Sequence, residues 1–96
     1  MSTRKSWSEL RRRRLEKPAA RATYEGAQLA YELGRQVRSL REAHGLSQRE
    51  LAERMQTTQS VIARLEAGGT KPSLTTLERV AAALGTSVEI RLLAAG

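Results

Sequence analysis

Eight basic side chains crowd the first 21 positions: Arg4, Lys5, Arg11, Arg12, Arg13, Arg14, Lys17 and Arg21, set against Glu9 and Glu16. Their local balance is +6 of a total of +7, so residues 22–96 carry only +1. A cationic arm of this kind suits a polyanion, because every phosphate it neutralises releases condensed counterions. The same run also serves as a solvated tail, and composition does not separate the two. The remaining reactive inventory is poor. There is no cysteine and no aspartate, and His44 is the single histidine. A Ser-His-Asp or Cys-His constellation cannot be assembled in one chain, and neither can a zinc site built from Cys and His. Glutamates are present, but no pair falls in a catalytic motif. The expectation is a binding protein without metal or cofactor rather than an enzyme.

At 96 residues the chain has room for one small domain and an extension. So thin a core gains from association with a second copy. No apolar stretch follows the charged N-terminus and no run is long enough to span a bilayer, so neither an export signal nor membrane insertion is expected. Together with the absence of cysteine this points to the cytoplasm.

The elements follow from periodicity and end signals. Trp7 to Lys17 reads as a short helix anchored by Trp7, Leu10 and Leu15. Pro18 ends it and suits the first position of a second helix reaching Ala43. Leu29, Leu33, Val37 and Leu40 recur at helical spacing and predict its inward stripe, with a weak point at Gly26 and a left-handed end at Gly45. Ser47 followed by Glu50 is a capping box, with Leu46 and Leu51 placed as its hydrophobic staple. That helix buries Leu51, Ala52 and Met55 and ends in a tight turn at Gln56 and Thr57. Thr58 caps the next helix, whose inner side is assigned to Val61, Ile62 and Leu65, and Gly68-Gly69 stops it. Ser73 caps a last helix with Leu74, Leu77, Val80, Ala81 and Leu84 on its apolar face, closed by Gly85.

The period then changes. Val88, Ile90 and Leu92 alternate with Ser87, Glu89 and Arg91, a strand pattern with no second strand to pair with. Pairing with its own copy in a dimer resolves this. In an antiparallel pair centred on Ile90, Glu89 of one chain faces Arg91 of the other. Packing of the segment on its own domain is the alternative. The organisation expected is therefore a basic arm over 1–20, a helical domain over 21–86 and a dimerisation strand with tail over 87–96.

The run LSQRELAER from Leu46 to Arg54, the run QSVIARLEAGG from Gln59 to Gly69 and the PSLTTL that begins at Pro72 together resemble the Cro/repressor (XRE-type) helix-turn-helix family. The likeness covers about residues 33–85. It implies an all-α fold: a five-helix helix-turn-helix domain, here with the N-terminal basic helical arm and the C-terminal strand. It also implies that the helix opening at Gln59 lies in the major groove of duplex DNA. By position, Gln59, Ser60 and Arg64 match base-reading residues. Gln59 suits adenine and Arg64 guanine, while Ala63 is placed to touch a thymine methyl. Gln48, Thr58 and Lys71 match phosphate-contacting positions, and Arg41 with Glu66 matches a buried ion pair. A solvated helix face for Gln59 and Arg64, and an idle surface position for Lys71, are the alternatives. The sequence departs from the family at Gln56, often glycine in relatives, and at Ala67, often asparagine.

The flanks resemble the XRE-type antitoxins of HigBA-like toxin–antitoxin pairs. The residues that carry this likeness are WSELRR from Trp7, RATYEGA from Arg21 and the VEIRL strand from Val88. It implies autorepression from a palindromic operator and a RelE-like (HigB-like) toxin partner. Trp7, Leu10, Leu15 and Tyr24 would be the toxin-facing anchors, or else the cover of their own core. A +6 arm opposes a basic toxin, so either such a toxin carries an acidic patch or the arm binds DNA. A stand-alone regulator of the same family and an RNA-binding or ribosome-associated protein are the competing readings. The second is weakened by a chain with only three aromatic residues to stack on bases.

Overall fold

A computed structural model of the protein describes the backbone of residues 18–94 and the side chains of residues 25–94. Four helices follow one another: α1 (Pro18–Ala43), α2 (Gln48–Arg54), α3 (Gln59–Glu66) and α4 (Leu74–Ala83). Residues 86–94 form neither helix nor strand. None of the described helices is long and apolar enough to cross a membrane.

The helix starts are local chemistry. Ser47, Thr58 and Ser73 each sit in extended backbone, and each hydroxyl accepts from a backbone N–H one turn ahead, at Glu50, Val61 and Thr76. At Ser47 the box is complete: the Glu50 carboxylate accepts from the Ser47 N–H at 2.8 Å and the Ser47 hydroxyl from the Glu50 N–H at 3.0 Å. These bonds satisfy donors that the first turn leaves open.

The helix ends share one device. In each, the second residue past the cap donates back to the carbonyl five positions earlier: Leu46 to Arg41, Thr57 to Ala52, Gly69 to Arg64 and Thr86 to Ala81. This is the Schellman closure, which needs a left-handed residue just past the cap. Gly45, Gly68 and Gly85 fill that place in three of them, with φ between 65° and 78°. Gln56 fills it in the fourth, at φ 55°.

Val37, Leu51, Ala52, Met55, Ile62, Leu65, Val80 and Leu84 make the core, with Leu46 and Ala83 packed against it. Every helix contributes to it. α2 and α4 also brace each other's ends. Arg54 donates to the Ala83 carbonyl at 3.2 Å, and Arg79 donates to the Met55 carbonyl. Guanidinium groups at helix C-termini satisfy open carbonyls and complement the dipole.

Four expectations are corrected. Of the stripe expected on α1, Val37 is in the core and Leu33 half-buried, but Leu29 is 60 % exposed and Leu40 39 %. The buried positions are Ala30, Gly34, Val37 and Arg41, of which all but Val37 lie one residue along from the stripe. Small side chains there let α1 approach α3 closely, and proximity outweighs side-chain hydropathy in choosing the face. Gly26 does not interrupt α1, which runs as 26 continuous residues. Val61 and Leu74 are about half exposed, because each begins a helix at the rim of the core. The expected five helices and the C-terminal strand are four helices and no strand among the described residues. The fifth helix, over Trp7 to Lys17, lies outside them. Val88, Glu89, Ile90, Arg91 and Leu92 make no ladder, because a strand exists only by pairing and a single chain offers no second one.

Candidate nucleic-acid interface

The site grows from α3. Its inner face is Ile62 and Leu65, buried to 0 % and 2 % exposure. On an α-helix positions 60 and 64 lie opposite these, 63 flanks them, and 59 sits one turn before Ile62 at the start of the helix. Gln59, Ser60 and Arg64 are exposed and Ala63 is half-buried. Three of the four residues expected to read bases are thus exposed, Gln59 through its place in the first turn and Ser60 and Arg64 through helical period. The stem of Arg64 is held on the Gly68-Gly69 turn: a Cβ on Gly69 would lie 2.9 Å from Arg64 Cγ. Thr58, exposed beside them, spends its oxygen as the α3 cap at 3.3 Å from Val61 N. Its hydroxyl proton stays available to an outside acceptor.

Gln48 opens α2 and stands beside the start of α3. Gln59 Nε2 donates to Gln48 Oε1 at 3.4 Å, and Gln48 Nε2 donates to Glu66 Oε1 at 3.1 Å. Glu66 in turn accepts two bonds from Arg41: Nε to Oε2 at 2.6 Å and Nη2 to Oε1 at 3.0 Å. Arg41 Nη1 donates onward to the Leu46 carbonyl at 2.7 Å, which ties α1 to the loop before α2. Arg41 and Glu66 are each 8 % exposed, so the expected ion pair is present and buried. The hydrogen bonds to Glu66 raise the Arg41 guanidinium above its ordinary pKa, with the carboxylate charge acting in the same direction and burial opposing. The described residues leave no buried side-chain polar atom unpartnered.

Lys71, between α3 and α4, does not stand out beside Gln59. Its side chain folds over α1, with Nζ 2.6 Å from where a Cβ on Gly26 would be. Trp7, Leu10 and Leu15 lie outside the described residues, and so does the Tyr24 side chain.

Two features escaped sequence reading. The first is the bond from Gln48 to Glu66, which joins residues 18 apart and has no local signature. The second is an apolar groove between α1 and α4. Leu33, Leu40 and Leu77 line it, and Val88 and Ile90 of the C-terminal segment close part of it. The misplaced leucine stripe was its signal: leucines at helical spacing that the core does not use.

A compact pair of capped helices, the second with a polar outer face and a sealed inner face, defines a helix-turn-helix unit. A helix-turn-helix family model (HTH_3) matches residues 37–90, and the chain belongs to this family of DNA-binding regulators. Among solved structures it is similar to the clp gene regulator ClgR from C. glutamicum. The two are 38 % identical at a TM-score of 0.61, over 62 % of this chain and 77 % of that one. It is also similar to the restriction-modification controller protein C.AhdI from Aeromonas hydrophila. Here identity is 31 % and the TM-score 0.61, over 64 % of this chain and 88 % of the other. No curated protein matches the chain.

Proposed function

We propose that this chain is a sequence-specific transcriptional repressor that binds a palindromic operator as a homodimer, with α3 in the major groove. The observation that carries the reading is the division of α3 into a sealed side, Ile62 and Leu65, and an open side bearing Gln59, Ser60 and Arg64. Gln59 pairs with adenine and Arg64 with guanine. Gln48 and Thr58, at two adjoining helix N-termini, hold phosphates. Lys71 is the weakest phosphate candidate, since its side chain lies along α1. The two similar structures are by title a gene regulator and a controller protein, which fits this role.

The dimer is supported by the C-terminal segment. Ile90 and Leu92 are 60 % and 93 % exposed, and Glu89 pairs with Arg91 at 3.4 Å. Exposed apolar side chains flanked by complementary charges are what two copies of this segment need to pair.

The test is binding to duplexes selected from a random pool, at fixed salt. Gln59→Ala and Arg64→Ala are each expected to cost about 1–3 kcal/mol on the selected duplex and far less on unselected DNA. Equal losses on both would reduce these residues to electrostatic contacts.

A finer reading makes the chain the antitoxin of a HigBA-like pair, neutralising a RelE-like toxin. It rests on the flanking resemblance. It is favoured by large apolar side chains left uncovered toward the flank end of α1, Leu29 and Tyr31 being 60 % and 55 % exposed on different faces of the helix. Co-expression with the product of the adjacent reading frame, followed by co-purification, decides it. A stable complex supports the antitoxin. A neighbour that is no small ribonuclease leaves the stand-alone regulator.

A further inference from the structure

We infer that Glu66, though buried away from DNA, is a positioning residue that sets which base Gln59 accepts, acting through Gln48. The inference rests on the proposed role of α3 as the base-reading helix and adds to it a device inside the fold.

The argument is one of donors and acceptors. An ionised carboxylate only accepts hydrogen bonds. Both Glu66 oxygens accept from the Arg41 guanidinium, which can only donate, so the Gln48 amide turns its NH2 toward them. The other end of that amide, Oε1, then faces Gln59 and only accepts. Gln59 must therefore turn its own NH2 back toward Gln48, as the 3.4 Å contact records. What remains outward on Gln59 is its carbonyl oxygen and one N–H.

Adenine offers a donor, N6–H, beside an acceptor, N7, and matches that pattern. Guanine offers two acceptors, O6 and N7, and sets an oxygen against the Gln59 carbonyl. An amide with no tether is free to rotate and aim both hydrogens of its NH2 at guanine. Two glutamines at adjoining helix starts would by themselves leave both amides free to flip together. The buried ion pair removes that freedom, because only one orientation of the relay satisfies the carboxylate. Burial of Glu66 at 8 % exposure keeps water from substituting for Gln48 as its third donor.

The experiment measures base preference at every operator position by sequencing the bound fraction of a randomised duplex pool. It uses the full chain and the variants Gln59→Ala, Gln48→Met and Glu66→Gln. Gln59→Ala identifies the position that Gln59 reads. At that position the wild type is expected to favour adenine over guanine by roughly tenfold or more, the discrimination of a good bidentate pair. Gln48→Met and Glu66→Gln are expected to reduce the ratio to about threefold or less, with the preference at the Arg64 position unchanged. Gln48→Met keeps the Arg41–Glu66 pair whole and leaves the relay open to refutation even if Glu66→Gln fails to fold, and an adenine preference retained by folded Glu66→Gln overturns the role of Glu66. Retention of the adenine preference in Gln48→Met, with or without a uniform loss of affinity, overturns the relay and leaves base reading by Gln59 standing. A wild type that enriches no sequence removes the base-reading role itself, and the relay with it.

Discussion

Gly34 of α1 stands against the backbone carbonyl of Leu65 at the end of α3. A Cβ at position 34 would lie 2.4 Å from that oxygen and 2.7 Å from the carbonyl oxygen of Glu66. No side chain fits, and neither carbonyl can swing aside without disturbing the end of α3. Gly34→Ala is therefore expected to destabilise the domain, although alanine gains about 1 kcal/mol in helix propensity. Gly26 in the same helix supplies the control. The nearest atoms to a Cβ there belong to the flexible end of Lys71, so Gly26→Ala is expected to be neutral or stabilising by up to about 1 kcal/mol. Urea melts of the two variants separate the effects. Matching shifts would mean that the α1–α3 contact carries no constraint.

Removing Arg41 leaves the buried Glu66 carboxyl with Gln48 as its remaining described side-chain partner. Arg41→Met is expected to cost about 3–5 kcal/mol, enough to unfold much of a domain this size at room temperature. The exposed pair of Arg35 with Glu32 is the contrast, at 59 % and 49 % side-chain exposure. Arg35→Met is expected to change stability by less than about 1 kcal/mol. Denaturant midpoints measured side by side check both, and a mild Arg41 variant would show that the pair is solvated in solution.

Gln56 holds the left-handed place that glycine holds at the other three helix ends. A side chain there costs about 1–2 kcal/mol of backbone strain, part of which glycine gives back through its freer unfolded state. Gln56→Gly is expected to raise the thermal midpoint by a few degrees. A lowered midpoint would show that the Gln56 side chain makes a contact worth more than the strain.

The Ser47 N–H, and then the Ser47 hydroxyl contact, hold the Glu50 carboxyl below the usual carboxylate range. A depressed folded pKa means that the unfolded chain takes up the proton first. The contribution is thus complete above the ordinary carboxylate pKa and fades as pH falls through the folded value. Glu50→Gln retains a capping partner without a charge, so its stability is expected to fall less steeply between pH 5 and 3. Identical acid slopes for the two proteins, followed by circular dichroism, would exclude the effect.

The C-terminal segment is expected to hold two chains together through Val88, Ile90 and Leu92. Ile90→Glu places like charges opposite each other at the centre of an antiparallel pair. Sedimentation velocity at micromolar concentration is expected to show a wild-type dimer and a monomeric variant. A wild type that sediments as a monomer discards the pairing.

The helix boundaries were legible because caps are local. Ser47 with Glu50, Thr58, Ser73 and the glycines at 45, 68 and 85 act on residues within one turn, and the chain folds where they say. The outward placement of Ser60 and Arg64 was legible for the same kind of reason, since helical period alone sets them opposite Ile62 and Leu65, and Gln59 is exposed by its place in the first turn. The rotation of α1 was not. Leu29 and Leu40 satisfy the apolar pattern better than Ala30 and Gly34, but only the smaller pair admits α3, and that closeness is a property of two helices together. The tether from Glu66 through Gln48 to Gln59 was out of reach of the sequence as well. Amide orientation is decided by which partner each group finds across the fold, and three helices must be in place before any of the partners exists.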